Sequence, residues 1–222
     1  IKLGKNFSYT KLVEKNVIEV GAATLDRNVA NFAKENNLSN FEFLSCIPGS
    51  IGGAIIMNSG CYDNDISKIL ISIKAVDKNK LSVIEIKKED IKFSYRGSNL
   101  SNDLIFISAR LKGFPSSQEE IEKKQSSFIE RKKLSQPSQI KTCGSTFKNI
   151  SEDKKAWMLI KESGCENFKE GDASISEKHC NFFVNNGKAK SLDIENLIKK
   201  VKKKVHEKTG ANLELEIKII GD

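Results

Sequence analysis

The chain has 222 residues and a mass of 24.8 kDa, and 38% of its residues are hydrophobic and 30% charged. This composition excludes a disordered or fibrous protein, and no apolar stretch approaches the roughly 20 residues of a membrane span. Lysine and arginine number 37 against 29 acidic residues, a formal net charge of +8 that favours anionic partners. Because aromatics make up only 7%, no stacking platform for nucleic acid is visible, and a phosphate-bearing small molecule fits as well.

The five cysteines are odd in number and show no CxxC spacing. This pattern argues against a disulfide framework and against a structural zinc site, so we expect no bound metal and a reducing cytoplasmic location. The chain opens on isoleucine rather than methionine, which predicts a processed, cut or incomplete start.

The first half of the chain is predicted to consist of strands and one helix. Residues 16–20 are predicted to form a strand, and residues 24–36 a helix with apolar side chains at helical spacing. Residues 69–76 and 81–86 predict a β-hairpin, and residues 104–111 a further strand. Between them, residues 48–53 form a loop with three glycines. Its glycines can adopt positive φ angles at little steric cost, and the absence of side chains lets a ligand approach the backbone.

A polar break at Pro115 predicts a second unit that opens with a helix over residues 119–133. A short helix over 156–162 and a buried strand over 181–184 follow. Ser191 is predicted to cap a long helix that Gly210 ends. Alternation of apolar and charged residues predicts that the chain closes with a half-buried strand over 213–220.

Four segments carry candidate chemistry. The glycine loop is either a tight strand-to-helix turn or a nest of backbone N–H groups able to hold a phosphate or the polar edge of a cofactor ring. Arg96 is either an ordinary surface arginine or a group that holds a substrate carboxylate through two parallel hydrogen bonds. Glu214 and Glu216 share one face of the last strand. Either both side chains are exposed to solvent, or one of them acts as an acid or as an electrostatic partner in a site.

Residues 142–149 bring a thiol, hydroxyls, an ammonium and an amide into one short polar segment. The segment is either a plain loop or the place from which a hydroxyl delivers a proton to a carbanion-like centre. A nucleophilic Ser145 or Cys143 would need a base. His179 is a candidate for that role, whereas His206 is placed at a helix end, where capping is expected.

A resemblance extends along essentially the whole chain. The sequence resembles the UDP-N-acetylenolpyruvoylglucosamine reductase family in the order and spacing of its motifs, which are IPGSIGGA at 47–54, MNSGCY at 57–62, YRGS at 95–98, QP at 136–137, GSTFKN at 144–149, SEKHCNF at 176–182 and LELEI at 213–217. The match is to the subgroup that lacks a tyrosine-bearing insertion in the substrate domain.

The resemblance implies an α+β fold that combines the C-terminal part of an FAD-binding domain, of the vanillyl-alcohol-oxidase-like flavin type, over residues 1–115 with a smaller substrate-binding domain over 116–222. The last strand, 212–220, is expected to pack back at the active site. The resemblance also implies a cytoplasmic enzyme of peptidoglycan synthesis in which NADPH reduces FAD. FAD then reduces the enolpyruvyl ether of a UDP-sugar to the lactyl ether of UDP-N-acetylmuramate. Neither nucleic acid nor membrane is an expected partner, and the oligomeric state stays open.

Residue roles follow from the same resemblance. Ser145 is the expected proton donor, and Arg96 and Glu216 the expected partners of the substrate carboxylate. The expected substrate-binding residues are Tyr95, Lys148 and Asn149. The expected FAD-binding residues are Pro48, Gly49, Ser50, Gly52, Gly53, Asn58, Gly60 and Arg131.

Two departures from the family pattern leave alternatives open. The family has an upstream segment with a Gly-Ser-Asn loop that grips the FAD pyrophosphate, and this chain begins after that place, so a fragment unable to hold FAD, or a basic anion-binding module, is one alternative. Ile150 follows Asn149 where the family usually has proline, which changes local rigidity. An FAD-linked sugar or alcohol oxidase would share the glycine loop but would have no need of Arg96, Ser145 and Glu216 together.

Overall fold

A computed structural model describes residues 2–221, and its contacts divide the chain into two compact units after Lys132. Each unit has a hydrophobic core of its own. The mixture of strands and helices confirms the predicted α+β class. Among residues 2–221, no helix combines the length and apolar character that crossing a bilayer requires.

The first unit is built on an antiparallel five-stranded sheet. Its strands, in spatial order, are β1, β2, β10, β6 and β7. In chain order the elements of this part are β1 (Thr10–Glu14), β2 (Val17–Gly21), α1 (Asp26–Glu35), β3 (Leu38–Ser39), α2 (Ile51–Ile56), β4 (Gly60–Cys61), β5 (Asn64–Asp65), β6 (Leu70–Asp77), β7 (Ser82–Lys87), β8 (Phe93–Ser94), β9 (Gly97–Ser98), β10 (Leu104–Lys112), β11 (Phe114–Pro115) and α3 (Gln118–Ser135).

Apolar residues at the expected periods explain the core of this unit. Ile18, Val20 and Ile73 on the central strands are fully buried, and Val29 and Ala33 of α1 pack into the same cluster. The predicted strand at 16–20, helix at 24–36, hairpin at 69–86 and strand at 104–111 are confirmed by β2, α1, the antiparallel pair β6–β7 and β10.

Helix α3 packs on the first unit as far as Lys132. Gln125 is buried and its side-chain amide donates to the Ala30 carbonyl at 3.1 Å, while the Phe128 ring stacks on Tyr62 with centroids 4.9 Å apart. The division into a flavin domain at 1–115 and a substrate domain at 116–222 therefore differs from the division into compact units. As a functional boundary it stays a prediction.

The second unit places helices against an antiparallel sheet with the spatial order β12, β15, β14, β13. Its elements are β12 (Thr142–Ser145), α4 (Ala156–Glu162), β13 (Lys169–Glu170), β14 (Ala173–Ile175), β15 (Phe182–Asn185) and α5 (Ser191–Thr209). Apolar residues of α5 recur at helical spacing, and Leu197, Val201 and Val205 are fully buried. The predicted short helix and the buried strand are confirmed by α4 and β15.

Both ends of α5 have an identifiable cause. Gly210 adopts φ 70 and ends the helix as predicted, because glycine enters the left-handed region without steric cost. The N-cap position is Lys190, whose N–H donates to the Asp193 carboxylate at 2.8 Å. The prediction that Ser191 caps the helix is therefore wrong, because an acidic side chain in the first turn supplies the capping group.

The predicted closing strand over 213–220 does not form at that length. The segment makes one isolated bridge, between Leu215 and Phe147. Ile219 and Ile220, which follow this bridge, are exposed. Their side chains therefore do not pack into the core, as they would if the half-buried strand continued to residue 220.

Candidate active site

The glycine loop is held against the end of β2 by backbone hydrogen bonds. Asp26 donates its N–H to the Gly49 carbonyl at 3.1 Å, and Gly52 donates to the Ala22 carbonyl at 2.9 Å. Ile51 donates to the Thr24 carbonyl at 3.0 Å. Carbonyl groups therefore already satisfy two amides of the predicted nest. The loop is a tight connection between a short 3-10 helix, Glu42–Cys46, and α2, so the strand of the predicted strand-to-helix turn is absent here. None of its three glycines has a positive φ, which corrects that expectation as well.

Small side chains make this turn one wall of a cavity of about 520 Å³. Ser50, Gly52 and Gly53 line it together with Ala22 and Ala23. The rest of the lining comes from the start of β10 and from Lys2, Leu3 and Ile56. A Cβ added at Gly53 would lie 3.9 Å from its nearest neighbour, the Ser50 hydroxyl, so this wall is open toward the cavity. A flat, largely apolar ligand fits such a wall, and the volume is typical of ligand pockets. The residues present therefore fit the flavin that the sequence predicts.

The other predicted cofactor residues lie outside the lining of this cavity. Pro48 and Gly49 are exposed in the turn. Asn58 is buried, donates to the Ser94 carbonyl at 3.2 Å and accepts the Ser67 N–H at 3.1 Å, so its amide is bound within the protein. In α3, the Arg131 guanidinium stacks over the Tyr62 ring, 4.2 Å from the centroid.

Gly60 and Arg96 belong to two short hairpins that meet. Arg96 lies in the tight turn between β8 and β9 with φ 55, and its guanidinium donates to the Gly60 carbonyl at 3.2 Å. It also lies over the Tyr95 ring, 5.0 Å from the centroid. A Cβ at Gly60 would approach the Asn64 carbonyl to 2.1 Å, so only glycine allows β4 and β5 to close. The hairpin of β4 and β5 therefore holds one side of the Arg96 head group.

Asp26 is a buried carboxyl group beside this turn that the sequence did not single out. It is completely buried, and no protein group described here donates a hydrogen bond to either of its oxygens. Burial raises the pKa of Asp26 to about 7, because a carboxylate without partners is poorly solvated inside a protein.

In the second unit, Ser145 and Glu216 lie on neighbouring chain segments. Lys148 donates its N–H to the Glu214 carbonyl at 2.8 Å, and Glu216 donates to the Thr146 carbonyl at 2.9 Å. These bonds form a short antiparallel ladder around the Phe147–Leu215 bridge. Glu216 therefore pairs with the residue directly after Ser145, as expected if the end of the chain returns to the site.

Gly144 and Asn181 fix the path of the Ser145 segment. Gly144 has φ 87, a conformation that glycine adopts cheaply, and Ser145 follows it at the end of β12. Asn181 is buried and bonds to both sides of the Phe147 backbone, accepting its N–H at 2.9 Å and donating to its carbonyl at 2.8 Å. Sequence reasoning quoted Asn181 within a motif but did not assign it this positioning role.

The predicted substrate residues of this unit have visible partners. The Lys148 ammonium lies 3.7 Å from the Glu214 carboxylate, both on the edge of the ladder. Asn149 accepts the N–H of Ala156 at 3.1 Å and thereby caps the start of α4. Cys143 is exposed on β12.

His179 is unsuited to act as the base for Ser145 or Cys143. Its Nδ1 accepts the N–H of Asn181 at 3.2 Å, and burial lowers the pKa of the ring. The Nδ1 lone pair is therefore already engaged, and the lowered pKa makes the ring a weaker base than an ordinary histidine. The ring also packs against Phe182 and Trp157, with centroids 4.9 and 6.3 Å away.

Comparison with known proteins identifies relatives along the whole chain. Residues 2–84 match a family model described as FAD binding domain, and residues 136–220 match one described as UDP-N-acetylenolpyruvoylglucosamine reductase, C-terminal domain. A protein of the latter name from Pelagibacter ubique is 47% identical over 99% of this chain and 73% of its own length. One from Wolbachia pipientis wMel is 43% identical over all of this chain and 75% of its own length.

A solved structure agrees with these matches. The crystal structure of UDP-N-acetylenolpyruvylglucosamine reductase from Thermus caldophilus superposes with a TM-score of 0.83 at 31% identity, over 97% of this chain and 75% of that one. The similarity therefore extends to the fold of both units as well as to their sequences.

Proposed function

The chain belongs to the UDP-N-acetylenolpyruvoylglucosamine reductase family, and we propose that Arg96, Ser145 and Glu216 carry out its reaction. That reaction reduces the enolpyruvyl ether of UDP-N-acetylglucosamine to UDP-N-acetylmuramate for peptidoglycan synthesis, with FAD as cofactor and NADPH as reductant. The comparisons give no support to a sugar or alcohol oxidase, since the matched relatives share one name along the whole chain.

The cofactor is assigned to the cavity of the first unit. Ser50, Gly52 and Gly53 would hold one face of FAD, together with Ala22 and Ala23. Bound there and reduced by NADPH, the flavin would supply the hydride for the terminal carbon of the enolpyruvyl group. Asn58 and Gly60 act indirectly in this proposal, because their groups already bind Ser94, Ser67 and Arg96 and thereby fix the segment after α2.

Arg96 is proposed to bind the substrate carboxylate. Hydride addition leaves negative charge on the adjacent carbon and its carboxylate, and a guanidinium stabilises that charge through planar, charge-assisted hydrogen bonds. The Gly60 carbonyl and the Tyr95 ring already restrain the guanidinium, so little side-chain entropy remains to be lost when it binds. Lys148 and Asn149 are proposed to contact the rest of the substrate.

Ser145 is proposed to donate the proton that completes the reduction at the carbon bearing the carboxylate. An alkyl hydroxyl is a weak acid, so it needs an electrostatic partner or a water that carries the proton onward. Glu216 is the proposed partner. The observation that carries this assignment is the ladder of residues 146–148 with 214–216, which puts Ser145 and Glu216 on adjacent segments of one compact unit.

Replacing Ser145 tests the assignment. The Ser145→Ala enzyme, loaded with FAD, is expected to lose roughly 10²–10⁴-fold in the rate at which the enolpyruvyl substrate reoxidises the reduced enzyme. NADPH should still bleach the flavin absorbance at close to the normal rate, because no substrate proton moves in that step. Rapid-mixing absorbance measurements separate the two half-reactions.

Cys143→Ser is the matched control, because Cys143 lies on the same strand and is exposed. It should leave both half-reactions within about twofold of the parent enzyme. Equal losses in both half-reactions of Ser145→Ala would indicate general damage, and an unchanged reoxidation rate would remove the proposed role of the hydroxyl.

A further inference from the structure

The second unit contains a cavity of about 360 Å³ that the proposed reaction does not use. It lies where β12 and β15 meet the start of α5, and residues of all three elements line it. The residues proposed above to act on the substrate in this unit are absent from the lining, namely Ser145, Lys148, Asn149 and Glu216. The cavity is therefore separate from the groups assigned to the reaction.

The lining residues of β15 show which face of the sheet carries the cavity. Phe183 and Asn185 line it, whereas Ser145 pairs with Phe182. Paired residues of neighbouring strands share a face of the sheet, and successive side chains of one strand point to opposite faces. The cavity therefore lies on the face of β15 away from the Ser145 side chain.

Two ammonium groups and no carboxylate line the cavity. Lys141 directly precedes β12 and Lys190 directly precedes α5, and within residues 2–221 neither ammonium forms an ion pair. Asp193, in the first turn of α5, is not part of the lining. Its carboxylate lies beside Gly171, 2.8 Å from an added Cβ, in the turn between β14 and β13, the strand at the sheet edge opposite β12. The charge that faces the cavity is therefore positive and favours an anion.

A buried hydroxyl group also belongs to the lining. Thr146 is only 1% exposed and lines the cavity. Its N–H donates to the Asn181 carbonyl at 2.8 Å, and its carbonyl accepts the Glu216 N–H at 2.9 Å. Its hydroxyl, in contrast, makes no hydrogen bond to any group of residues 2–221. Because buried hydroxyl groups are ordinarily hydrogen-bonded, this one points to a polar ligand in the cavity.

Helix α5 adds hydrogen-bond donors to the lining, and three side chains add apolar surface. Ser191 lines the cavity and is the first residue of this 19-residue helix, whose first-turn N–H groups carry partial positive charge. Phe183 is buried in the lining, and Ile194 and Ile217 are half-buried there. A bare inorganic anion would leave this apolar surface in contact with water, so an anion with an apolar body fits better.

We propose that this cavity binds a small phosphate monoester with an apolar body. The phosphate group binds the ammonium groups of Lys141 and Lys190 at the first turn of α5, and the body packs against Phe183 and Ile217. The Thr146 hydroxyl donates to an oxygen of the ligand. A phosphate is favoured over a carboxylate because it carries about two negative charges at neutral pH and more acceptor oxygens, which suits two ammonium groups and helix amides together.

The volume of the cavity limits the size of the ligand. At about 360 Å³ it lies near the lower end of the range of roughly 300–1,000 Å³ that is usual for ligand pockets. The body is therefore comparable to a single aromatic ring. This assignment does not depend on the proposed function, because it uses none of the groups assigned to the reaction.

Alkylation of Cys143 tests the proposal, because this cysteine lines the cavity and is exposed. Its reaction with iodoacetamide in the parent protein is followed by mass spectrometry of the peptide, with phenyl phosphate as the probe. Saturating phenyl phosphate is expected to slow the alkylation by at least about 5-fold, because the reagent cannot reach a covered thiol. Phenol and inorganic phosphate each lack one half of the probe, so each should need at least about 10-fold higher concentrations for the same protection.

Variants of the proposed donors test where the probe binds. In the double variant Lys141→Gln/Lys190→Gln, the phenyl phosphate concentration that halves the alkylation rate is expected to rise roughly 10-fold or more. Thr146→Val keeps the shape of the side chain and should raise this concentration roughly 3–10-fold. Lys199→Gln is the matched control, since Lys199 is exposed on α5 outside the lining, and it should leave this concentration within about twofold.

Each variant is compared with its own alkylation rate without the probe. Slow alkylation of Cys165 and Cys180, which are buried in the core of the same unit, shows that a variant is folded. The proposal is overturned if phenyl phosphate does not protect Cys143 in the parent protein, or if phenol or inorganic phosphate protects it equally well. It is also overturned if either the double variant or Thr146→Val is protected at the same concentration as the parent.

Discussion

Asp26 is the residue whose environment conflicts most with its ordinary ionised state. It is the first residue of α1, it is fully buried, and burial raises its pKa from 3.8 to about 7. Between those two pH values the unfolded chain has lost the proton that the folded chain keeps. The contribution of Asp26 to stability is therefore fully present below about pH 4 and is lost as the pH rises through 7.

Replacing this carboxyl by an amide should remove that pH dependence. We expect the free energy of unfolding of Asp26→Asn, relative to the parent, to rise by about 2–4 kcal/mol between about pH 4 and about pH 8. The favourable field at a helix N-terminus keeps the value below the full desolvation cost. Urea unfolding of both proteins without FAD, across this pH range, measures the difference. If the free energies of unfolding of the parent and of Asp26→Asn change with pH in the same way, Asp26 ionises at its ordinary pKa.

Single residues show where sequence reasoning reached its limit. Arg96, Ser145 and Glu216 are proposed as the reacting residues because the family resemblance implies those roles, which their residue types also suit. The role of Asn181 depends on Phe147, from which it is separated by 34 positions, and the burial of Asp26 depends on the glycine loop folding over it. Neither contact leaves a local signal in composition or spacing, so neither was predicted.

Among the secondary-structure elements, helix α2 contributes small residues to the cavity that is proposed to hold FAD. Gly53 lies within it, and glycine in a helix interior costs roughly 0.5–1 kcal/mol relative to alanine. Its side-chain position is open, with the nearest atom 3.9 Å from an added Cβ. The absence of a side chain is therefore not required by packing within the protein, and it is explained if a ligand occupies that space.

Enlarging this position should weaken FAD binding without weakening the fold. Gly53→Ala and Gly53→Leu are expected to lower FAD affinity in that order, with roughly a 10-fold or greater loss for leucine. Without FAD, Gly53→Ala should be as stable as the parent or more stable, by up to about 1 kcal/mol. Fluorescence titration with FAD and urea unfolding measure the two effects.

Gly60→Ala is the contrasting variant in β4. An added Cβ there would meet the Asn64 carbonyl at 2.1 Å, so the protein should be destabilised even without FAD. If Gly53→Leu binds FAD as tightly as the parent, the cavity beside α2 is not the flavin site.

Elements with strong periodicity were predicted from the sequence, and those that depend on distant pairing were not. Helices α1 and α5 and strands β2, β6 and β10 carry apolar residues at the helical or strand period, so their cores could be inferred. The closing segment shows the same alternation over 213–219, yet only Leu215 makes a bridge. Periodicity records which side chains would be buried, but the length of a strand depends on what pairs with it. The three loop glycines likewise suggested a nest, whereas carbonyl groups of the 22–24 segment occupy two of its amides.

At the scale of the whole molecule, each unit encloses a core of its own, and the sequence predicted two units from the polar break at Pro115 and from the family resemblance. The polar break at Pro115 marks the end of the strands of the first unit. It does not mark the end of that unit, because α3 packs back through Phe128 and buried Gln125. A buried glutamine on a largely polar helix is not distinguishable in sequence from an exposed one.

The net positive charge of the molecule leads to a prediction about how kcat/KM depends on ionic strength. With a formal charge of +8 and anionic ligands in NADPH and the UDP-sugar, long-range attraction should raise the association rate. We expect kcat/KM for the UDP-sugar to fall roughly 3–10-fold between about 20 mM and about 500 mM sodium chloride, because the screening length shortens across that range. The value of kcat should change by less than about twofold, since the groups that act on bound substrate are shielded from mobile ions. Steady-state kinetics in sodium chloride and in potassium acetate of equal ionic strength should agree. A flat kcat/KM, or a loss that follows the identity of the anion, would show that local competition rather than net charge governs ligand capture.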